Sequence, residues 1–125
     1  MLSHMFKRIK SVERIEVSIK LWKTNKLINH VKNMEVKGLC VSEMDDNDFA
    51  GIILLNPSRS GIFRYISNIH SLIKGHIIYV SCNPLTLNKD LKALNITKYH
   101  IKSIIPINQF PNTNHLEVIV HIYKP

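Results

Sequence analysis

The hydrophobic pattern is clearest between residues 76 and 95. Four consecutive apolar residues, Ile77 to Val80, end at the polar segment Ser81-Cys82-Asn83-Pro84. A short apolar run bounded by turn residues is typical of a buried strand. Leucines follow at helical spacing, at positions 87, 91 and 94. The sequence therefore predicts a strand, a turn whose path Pro84 restricts, and a helix, with a thiol where the strand ends.

Similar patterns along the rest of the chain predict alternating strands and helices. The predicted strands are residues 12–17, 39–41, 51–55, 99–105 and 115–122, and further helices are predicted at 19–31 and 62–73. The continuous apolar run at 51–55 favours a strand buried on both faces of a parallel sheet. In the helix at 19–31, which Ser18 is expected to cap, an apolar stripe would cover that sheet: Leu21, Trp22, Leu27, Ile28 and Val31. This alternation predicts an α/β sandwich with right-handed crossovers and an antiparallel C-terminal edge.

Length and composition restrict the class of protein. With 125 residues and 45% hydrophobic content, the chain suits one domain with a single core. Its apolar runs are shorter than a membrane span requires, and its N-terminus lacks the apolar region of a signal peptide, so we expect a cytoplasmic protein without membrane contact. Cys40 and Cys82 form no CxxC pair, and the histidines lack ligand spacing, so no disulfide or metal site is predicted.

The charge is strongly positive and unevenly distributed. The net charge is +8, and the first 37 residues carry nine Lys or Arg against three Asp or Glu. A basic domain is typical of proteins that meet phosphate backbones. A solvated lysine-rich face would give the same count. Charge alone therefore leaves RNA binding and a solvated surface equally open.

Two residues suggest chemistry at strand ends. Cys82 follows the predicted strand of residues 77–80, and in open α/β sheets ligands bind at the carboxyl ends of strands. A lone cysteine beside a strand is more often a core residue. Glu117 enters an otherwise apolar strand, where desolvation disfavours the charged carboxylate and suits it to accept a proton as a general base. A nucleophile and a base would then face one crevice.

Three motifs carry a family resemblance. SCNP is followed by TLxxDLxxL, FPxTxHxE comes about thirty residues later, and LLNPSRSG stands upstream. Together they resemble the C-terminal catalytic portion of the S-adenosyl-L-methionine-dependent RNA (uracil-5-)methyltransferases, over residues 11–123. The resemblance implies a Rossmann-like class I methyltransferase sandwich, of which residues 1–125 would form a partial catalytic domain. Its first strand and glycine-rich loop would be missing.

The resemblance also implies residue roles. Cys82 would add to C6 of uracil, C5 would accept a methyl group from S-adenosyl-L-methionine, and Glu117 would remove the C5 proton. Arg59 is also expected to favour the Cys82 thiolate. An acid in the loop at 43–48 is expected near the adenine. The other implied contacts are Glu16, at the end of the predicted strand 12–17, and Asn56 with the cofactor, and Arg59, Asn83 and His115 with the substrate. The implied partner is RNA, either tRNA or rRNA.

Departures from the family pattern keep other functions open. Asn56 and Asn108 stand where related enzymes carry Asp, and an amide lacks the negative charge that favours a cationic methyl donor. The missing central strand leaves a gap. Its two flanking strands could pair directly, the basic N-terminal segment could fill it, or a second chain could supply a strand. The alternatives to an active enzyme are a catalytically inactive RNA-binding remnant and an amino-group or small-molecule methyltransferase that needs Asn56 but not Cys82.

Overall fold

The chain folds into two compact units, Met1–Met44 and Asp45–Pro125. The computed structural model describes residues 2–44, 50–95, 99–109, 111–113 and 115–125, without the side chains of residues 2, 50, 73 and 95. The first unit contains β1 (Ile9–Val12), α1 (Glu16–Ile28) and β2 (Met34–Lys37). The second contains β3 (Ala50–Leu55), α2 (Ile66–Leu72), β4 (Ile73–Ser81), α3 (Pro84–Asn95), β5 (His100–Ile107) and β6 (Glu117–Tyr123). Most of the predicted acidic loop at 43–48 lies outside the described residues.

In the first unit, the predicted strand at 12–17 is wrong beyond Val12. β1 ends there, and Glu16 is the first residue of α1 rather than a strand residue. The Glu13 carboxylate accepts hydrogen bonds from the backbone N–H groups of Arg14 and Ile15, at 2.7 and 2.8 Å. These bonds satisfy donors that would otherwise belong to a sheet, so the chain leaves the strand at this point.

The helix α1 begins and ends three residues before the predicted bounds. At its C-terminus, His30 has a positive φ of 52°, and its N–H donates to the Leu27 carbonyl at 3.1 Å. The Val31 N–H donates to the Lys26 carbonyl at 3.0 Å. This pair of bonds is the Schellman arrangement, in which a left-handed residue ends the helix.

The predicted apolar stripe of α1 covers the sheet only in part. Trp22 is half-buried and Val31 is buried, but three members of the stripe are 59–74% exposed: Leu21, Leu27 and Ile28. β1 and β2 form a parallel sheet of only two four-residue strands. So narrow a sheet leaves the remaining side of the helix exposed within this unit.

The predicted strand at 39–41 is wrong. The strand β2 lies before Gly38, and Val41–Glu43 forms a 3-10 turn. The Glu43 carboxylate accepts the Cys40 N–H at 2.5 Å, so this backbone donor is satisfied within the turn and not in a sheet.

In the second unit, four strands form a mixed sheet in the order β3-β4-β6-β5. β3 and β4 are parallel, whereas β6 is antiparallel to both β4 and β5. The predicted strands at 51–55, 99–105 and 115–122 are confirmed to within two residues, as is the antiparallel edge. The predicted helix at 62–73 is shorter: a 3-10 turn precedes α2, and residue 73 already belongs to β4.

One face of this sheet carries the core. Ile77 and Tyr79 pair with Ile122 and Val120 in the sheet, and all four side chains are at most 1% exposed. The helices add Ile66, Ile69 and Leu72 from α2, and Leu87 and Leu94 from α3.

The second face of β3 does not have the predicted burial. Ile52 and Leu54 are 48% and 64% exposed, although β3 was predicted to be buried on both sides. They alternate with Ile53 and Leu55, which pair with the core residues Ile77 and Tyr79. Because the buried faces of α2 and α3 share the core with those residues, the opposite face of β3 is left open within this unit.

How the place of the missing central strand is filled stays a prediction. Within each unit, β1 pairs with β2, and β3 pairs with β4. In the N-terminal segment, Leu2–Met5 forms a 3-10 helix, and Ile9 and Lys10 begin β1. A strand from a second chain stays a prediction as well. No helix in the described portion is long and apolar enough to cross a membrane.

Candidate active site

Cys82 lies in the turn directly after β4, where the sequence predicts it. It is a free cysteine, and its side chain is half-buried. The buried Ser81 hydroxyl donates to the carbonyl of Asn83 and accepts from its N–H, both at 3.2 Å. α3 begins at Pro84, which suits the first helical position because its missing N–H would have no partner there. The thiol is therefore held at the carboxyl end of a strand by a hydrogen-bonded turn.

Asn83 uses its side-chain amide within the protein. Oδ1 accepts the Leu85 N–H at 3.1 Å, which is the bond expected of a helix N-cap. Nδ2 donates to the Arg59 carbonyl oxygen at 3.2 Å. These bonds fix the turn after Cys82 and tie it to the segment that follows β3. A contact between Asn83 and the substrate stays a prediction.

The segment of residues 56–62, hereafter the β3–α2 loop, runs beside that turn. It begins at Asn56, the first residue after β3, and both Asn56 and Arg59 are exposed. The Arg59 guanidinium has no ion-pair partner among the described residues. Because β3 and β4 are parallel neighbours, their carboxyl ends lie at one edge of the sheet, and the loop and Cys82 share that edge.

Glu117 reaches the same edge from the opposite direction. It is the first residue of β6 and is half-buried. The last pair between β4 and β6 is Ser81 with Val118, and Cys82 and Glu117 are the next residues along the chain on either side of that pair. The predicted nucleophile and the predicted base therefore lie at the same edge of the sheet, each one residue beyond the last pair.

The connection before β6 is described only in part. His115 is exposed, and its backbone N–H donates to the Thr113 hydroxyl at 3.2 Å. Asn108 is exposed as well, whereas Phe110 and Asn114 of the FPNTN segment lie outside the described residues. The substrate contact of His115 stays a prediction.

The acidic residue at the strand end of the first unit is Glu13. Glu16 lies in the first turn of α1 and forms an exposed ion pair with Lys20, at 2.9 Å. Glu13 directly follows β1, so the strand-end argument for a ribose contact applies to it. The sequence contains a signal for Glu13, because this residue directly follows the apolar end of β1. The prediction of a strand over residues 12–17 placed Glu13 inside the strand, so the signal was overlooked.

A buried polar pair lies behind the Cys82 turn. The Tyr79 hydroxyl donates to Asp90 Oδ2 at 2.5 Å, and both residues are at most 1% exposed. Burial raises the pKa of Tyr79, and the hydrogen bond to Asp90 raises it further. The sequence contained a signal for Asp90: it lies between Leu87 and Leu94 at helical spacing, on the apolar side of α3. Sequence reasoning missed both residues.

Two histidines of the second unit form a pair away from this edge. His121 Nε2 and His76 Nδ1 are 3.1 Å apart, near the start of β4. Desolvation lowers the pKa of His121, and the charges of Lys102 and His76 lower it further. In the described part of the chain, no three His, Cys, Asp or Glu side chains are grouped as a metal site requires.

Comparison with known proteins gives consistent matches. Residues 43–125 match the family model described as tRNA (uracil-5-)-methyltransferase. A Thermotoga maritima protein described as an uncharacterized RNA methyltransferase is 38% identical over 94% of this chain and 27% of its own length. The Shewanella pealeana 23S rRNA (uracil(747)-C(5))-methyltransferase is 39% identical over 65% of this chain and 21% of its own. The chain therefore spans less than a third of either relative.

Solved structures agree with these matches. The Pyrococcus abyssi tRNA (uracil-54, C5)-methyltransferase, solved with S-adenosyl-L-homocysteine, has a TM-score of 0.84 and 28% identity, covering 97% of this chain and 30% of that one. The precorrin-6y C5,15-methyltransferase of Geobacter metallireducens has a TM-score of 0.77 at 16% identity, over 94% of this chain and 67% of that one. The second match concerns the fold alone. The predicted Rossmann-like methyltransferase fold is confirmed.

Proposed function

The chain belongs to the tRNA (uracil-5-)methyltransferase family, and from this premise we propose that it carries the catalytic residues for methylation of uridine at C5 in RNA. The observation that supports this most directly is the β4–β6 register, which ends at Ser81 and Val118 and so places their neighbours Cys82 and Glu117 at one edge of the sheet. These residues belong to different motifs of the sequence. A nucleophile and a base at one edge match a reaction that needs both at adjacent carbons of one ring.

In this proposal, Cys82 activates the ring. Its thiolate adds to C6, a C6–S bond forms, and the electrons of the C5–C6 double bond make C5 nucleophilic. When bound, S-adenosyl-L-methionine supplies the electrophilic methyl group that C5 attacks. The exposed Arg59 cation, on the loop beside this edge, is proposed to contact the substrate.

Glu117 then completes the reaction. Its carboxylate takes the proton from C5, the electron pair of that C–H bond re-forms the C5–C6 double bond, and the C6–S bond breaks to return the thiolate. The Glu117 side chain is half-buried at the start of β6, at the edge of the sheet where the uridine is proposed to bind. His115 and Asn83 are proposed to line the uridine site.

Residues of this chain are suited to bind part of S-adenosyl-L-methionine. Glu13 is proposed to accept hydrogen bonds from its ribose hydroxyls, in place of Glu16; both of its backbone hydrogen bonds are accepted by Oε1. Asn56 is proposed to lie near the methyl donor, with an amide in place of a charge. The sequence before Glu13 contains no glycine-rich loop. We propose that elements outside these 125 residues, such as those of a second chain, complete this part of the site.

The RNA acceptor follows from charge as well as family. The net charge of +8 supports contact with a phosphate backbone, of tRNA or rRNA, in the cytoplasm. Uracil C6 is enclosed in a stacked helix, so the target uridine must be presented unstacked.

Covalent trapping tests the proposal. The chain is incubated with S-adenosyl-L-methionine and RNA containing 5-fluorouridine, whose fluorine cannot leave as a proton does. Mass spectrometry is expected to find a methylated RNA adduct on Cys82. Cys82→Ala should abolish the adduct, and Cys40→Ala, which removes the other cysteine, should keep it. With ordinary uridine, Glu117→Gln should accumulate the adduct because the C5 proton stays. Absence of any adduct, with upstream domains of a relative added in trans, would refute the proposal.

An inactive RNA-binding remnant is the second candidate. Asn56 and Asn108 favour it, because each replaces a carboxylate of the family pattern. Steeply salt-dependent RNA binding without calorimetric binding of S-adenosyl-L-methionine would select it. Methyl transfer retained by Cys82→Ala would instead select an amino-group or small-molecule methyltransferase.

A further inference from the structure

Asp90 is a buried acid that the proposed chemistry does not use. It is 1% exposed, and its Oδ2 accepts two hydrogen bonds, from the Tyr79 hydroxyl at 2.5 Å and from the Ile62 backbone N–H at 2.9 Å. Its Oδ1 is buried without a hydrogen-bond partner among the described residues. Burying a carboxylate in this way is costly, so its presence needs a reason beyond packing.

The second bond of Asp90 joins α3 to the β3–α2 loop. Ile62 is the last residue of that loop, and the loop begins at Asn56 and carries Arg59. Thr86 of α3 and the N-cap residue Asn83 hold the same loop, because the Arg59 carbonyl accepts from Asn83 Nδ2 at 3.2 Å and from Thr86 Oγ1 at 3.0 Å. Positions 83, 86 and 90 are spaced by three and four residues, which is one face of a helix.

Gly61 makes the approach of the loop to Asp90 possible. It has a φ of +71°, which L side chains rarely adopt, and a Cβ built on it would lie 2.3 Å from Asp90 Oδ2. The loop backbone therefore lies directly on the carboxylate. A side chain at position 61 would push the loop away from α3.

We infer that Asp90 is a positioning residue, which holds the β3–α2 loop through Gly61 and Ile62 so that Asn56 and Arg59 stay beside Cys82. α3 also carries the Cys82 turn at its N-terminus, through the Asn83 cap. One helix thus fixes both sides of the catalytic edge, at residues 59 and 62 of the loop and at the thiol turn. The effect of Asp90 on catalysis rests on the proposed function. The attachment of the β3–α2 loop to α3 does not depend on that function.

Amide hydrogen exchange tests the link without any activity. In Asp90→Ala, exchange at the Ile62 amide should accelerate at least about tenfold more than exchange at the Val80 amide in β4, which reports only the loss of stability of the whole unit. Asn88→Ala, at an exposed position of the same helix, is the matched control and should change neither. If Asp90→Ala does not fold, Asp90→Asn should give an intermediate acceleration, because a neutral amide oxygen accepts hydrogen bonds more weakly than a carboxylate. An unchanged Ile62 rate in either folded variant overturns the inference.

Two reaction rates at Cys82, adduct formation with RNA and alkylation by a small reagent, test whether Asp90 also affects the proposed chemistry. Asp90→Asn and Thr86→Val should slow adduct formation with 5-fluorouridine RNA about tenfold, yet leave alkylation of Cys82 by iodoacetamide within about twofold of wild type. Val120→Ala, which destabilises the same core from β6, should not separate the two rates. If wild type forms no adduct, the proposed function fails and the exchange result alone decides the link. If wild type forms adduct and Asp90→Asn forms it equally fast, positioning by Asp90 is refuted and the function stands.

Discussion

Deleting one hydroxyl from each of two buried tyrosines should have opposite effects on stability. In Tyr79→Phe, Asp90 Oδ2 loses the hydroxyl bond of 2.5 Å and keeps only the Ile62 N–H. A hydrogen bond to a charged group contributes about 1.5–3 kcal/mol, so we expect a loss of that size in the free energy of unfolding. Tyr99 is 2% exposed, and its hydroxyl has no hydrogen-bond partner in the described portion. Tyr99→Phe removes a desolvated group that costs about 1–3 kcal/mol, so it should be neutral or stabilising.

Native-state hydrogen exchange of the β4 and β6 amides measures this difference within the second unit. For a unit of this size, 1 kcal/mol corresponds to a shift of about 4–8 °C in Tm, so thermal unfolding gives an independent reading. The two variants remove the same atom, so differences in tyrosine propensity cancel. A loss below about 0.5 kcal/mol in Tyr79→Phe, or equal losses in both variants, would refute the assignment of the hydrogen bonds.

Three further results are expected. Ile69→Ala, at a side chain 1% exposed between α2 and the sheet, should cost about 2–5 kcal/mol in urea unfolding, and a cost under 1 kcal/mol would contradict the described core. His30→Gly should stabilise the first unit by up to about 1 kcal/mol, because histidine is strained at a positive φ and glycine is not. Asn29→Gly, at a negative φ, should not stabilise it. Desolvation, Lys102 and His76 lower the pKa of His121, so the folded state binds the proton less readily than the unfolded state. The resulting stability is present above the ordinary pKa of about 6.5 and is lost as pH falls through it, and NMR titration of Lys102→Ala should show a higher His121 pKa than wild type.

The predicted site depended on how well each strand could be located from sequence. Cys82 and Glu117 flank continuous apolar runs, and such runs fix strand ends well, so both were expected where the structure has them. Glu16 was assigned to a strand end because alternation continued past Val12. The bonds from Glu13 to the next two backbone amides ended the strand instead. A local side-chain bond of this kind leaves no trace in the hydrophobic pattern.

The sequence by itself determined the order and type of most elements, the antiparallel edge and the motifs of a methyltransferase, because these depend on local periodicity and turn chemistry. Only the tertiary structure decided the β4–β6 register that ends at Ser81 and Val118, the exposure of Leu54 and the contact of Asp90 with the β3–α2 loop. Each of these depends on register or on which face a helix covers. Such long-range pairings join residues far apart in the chain, and no local pattern specifies them.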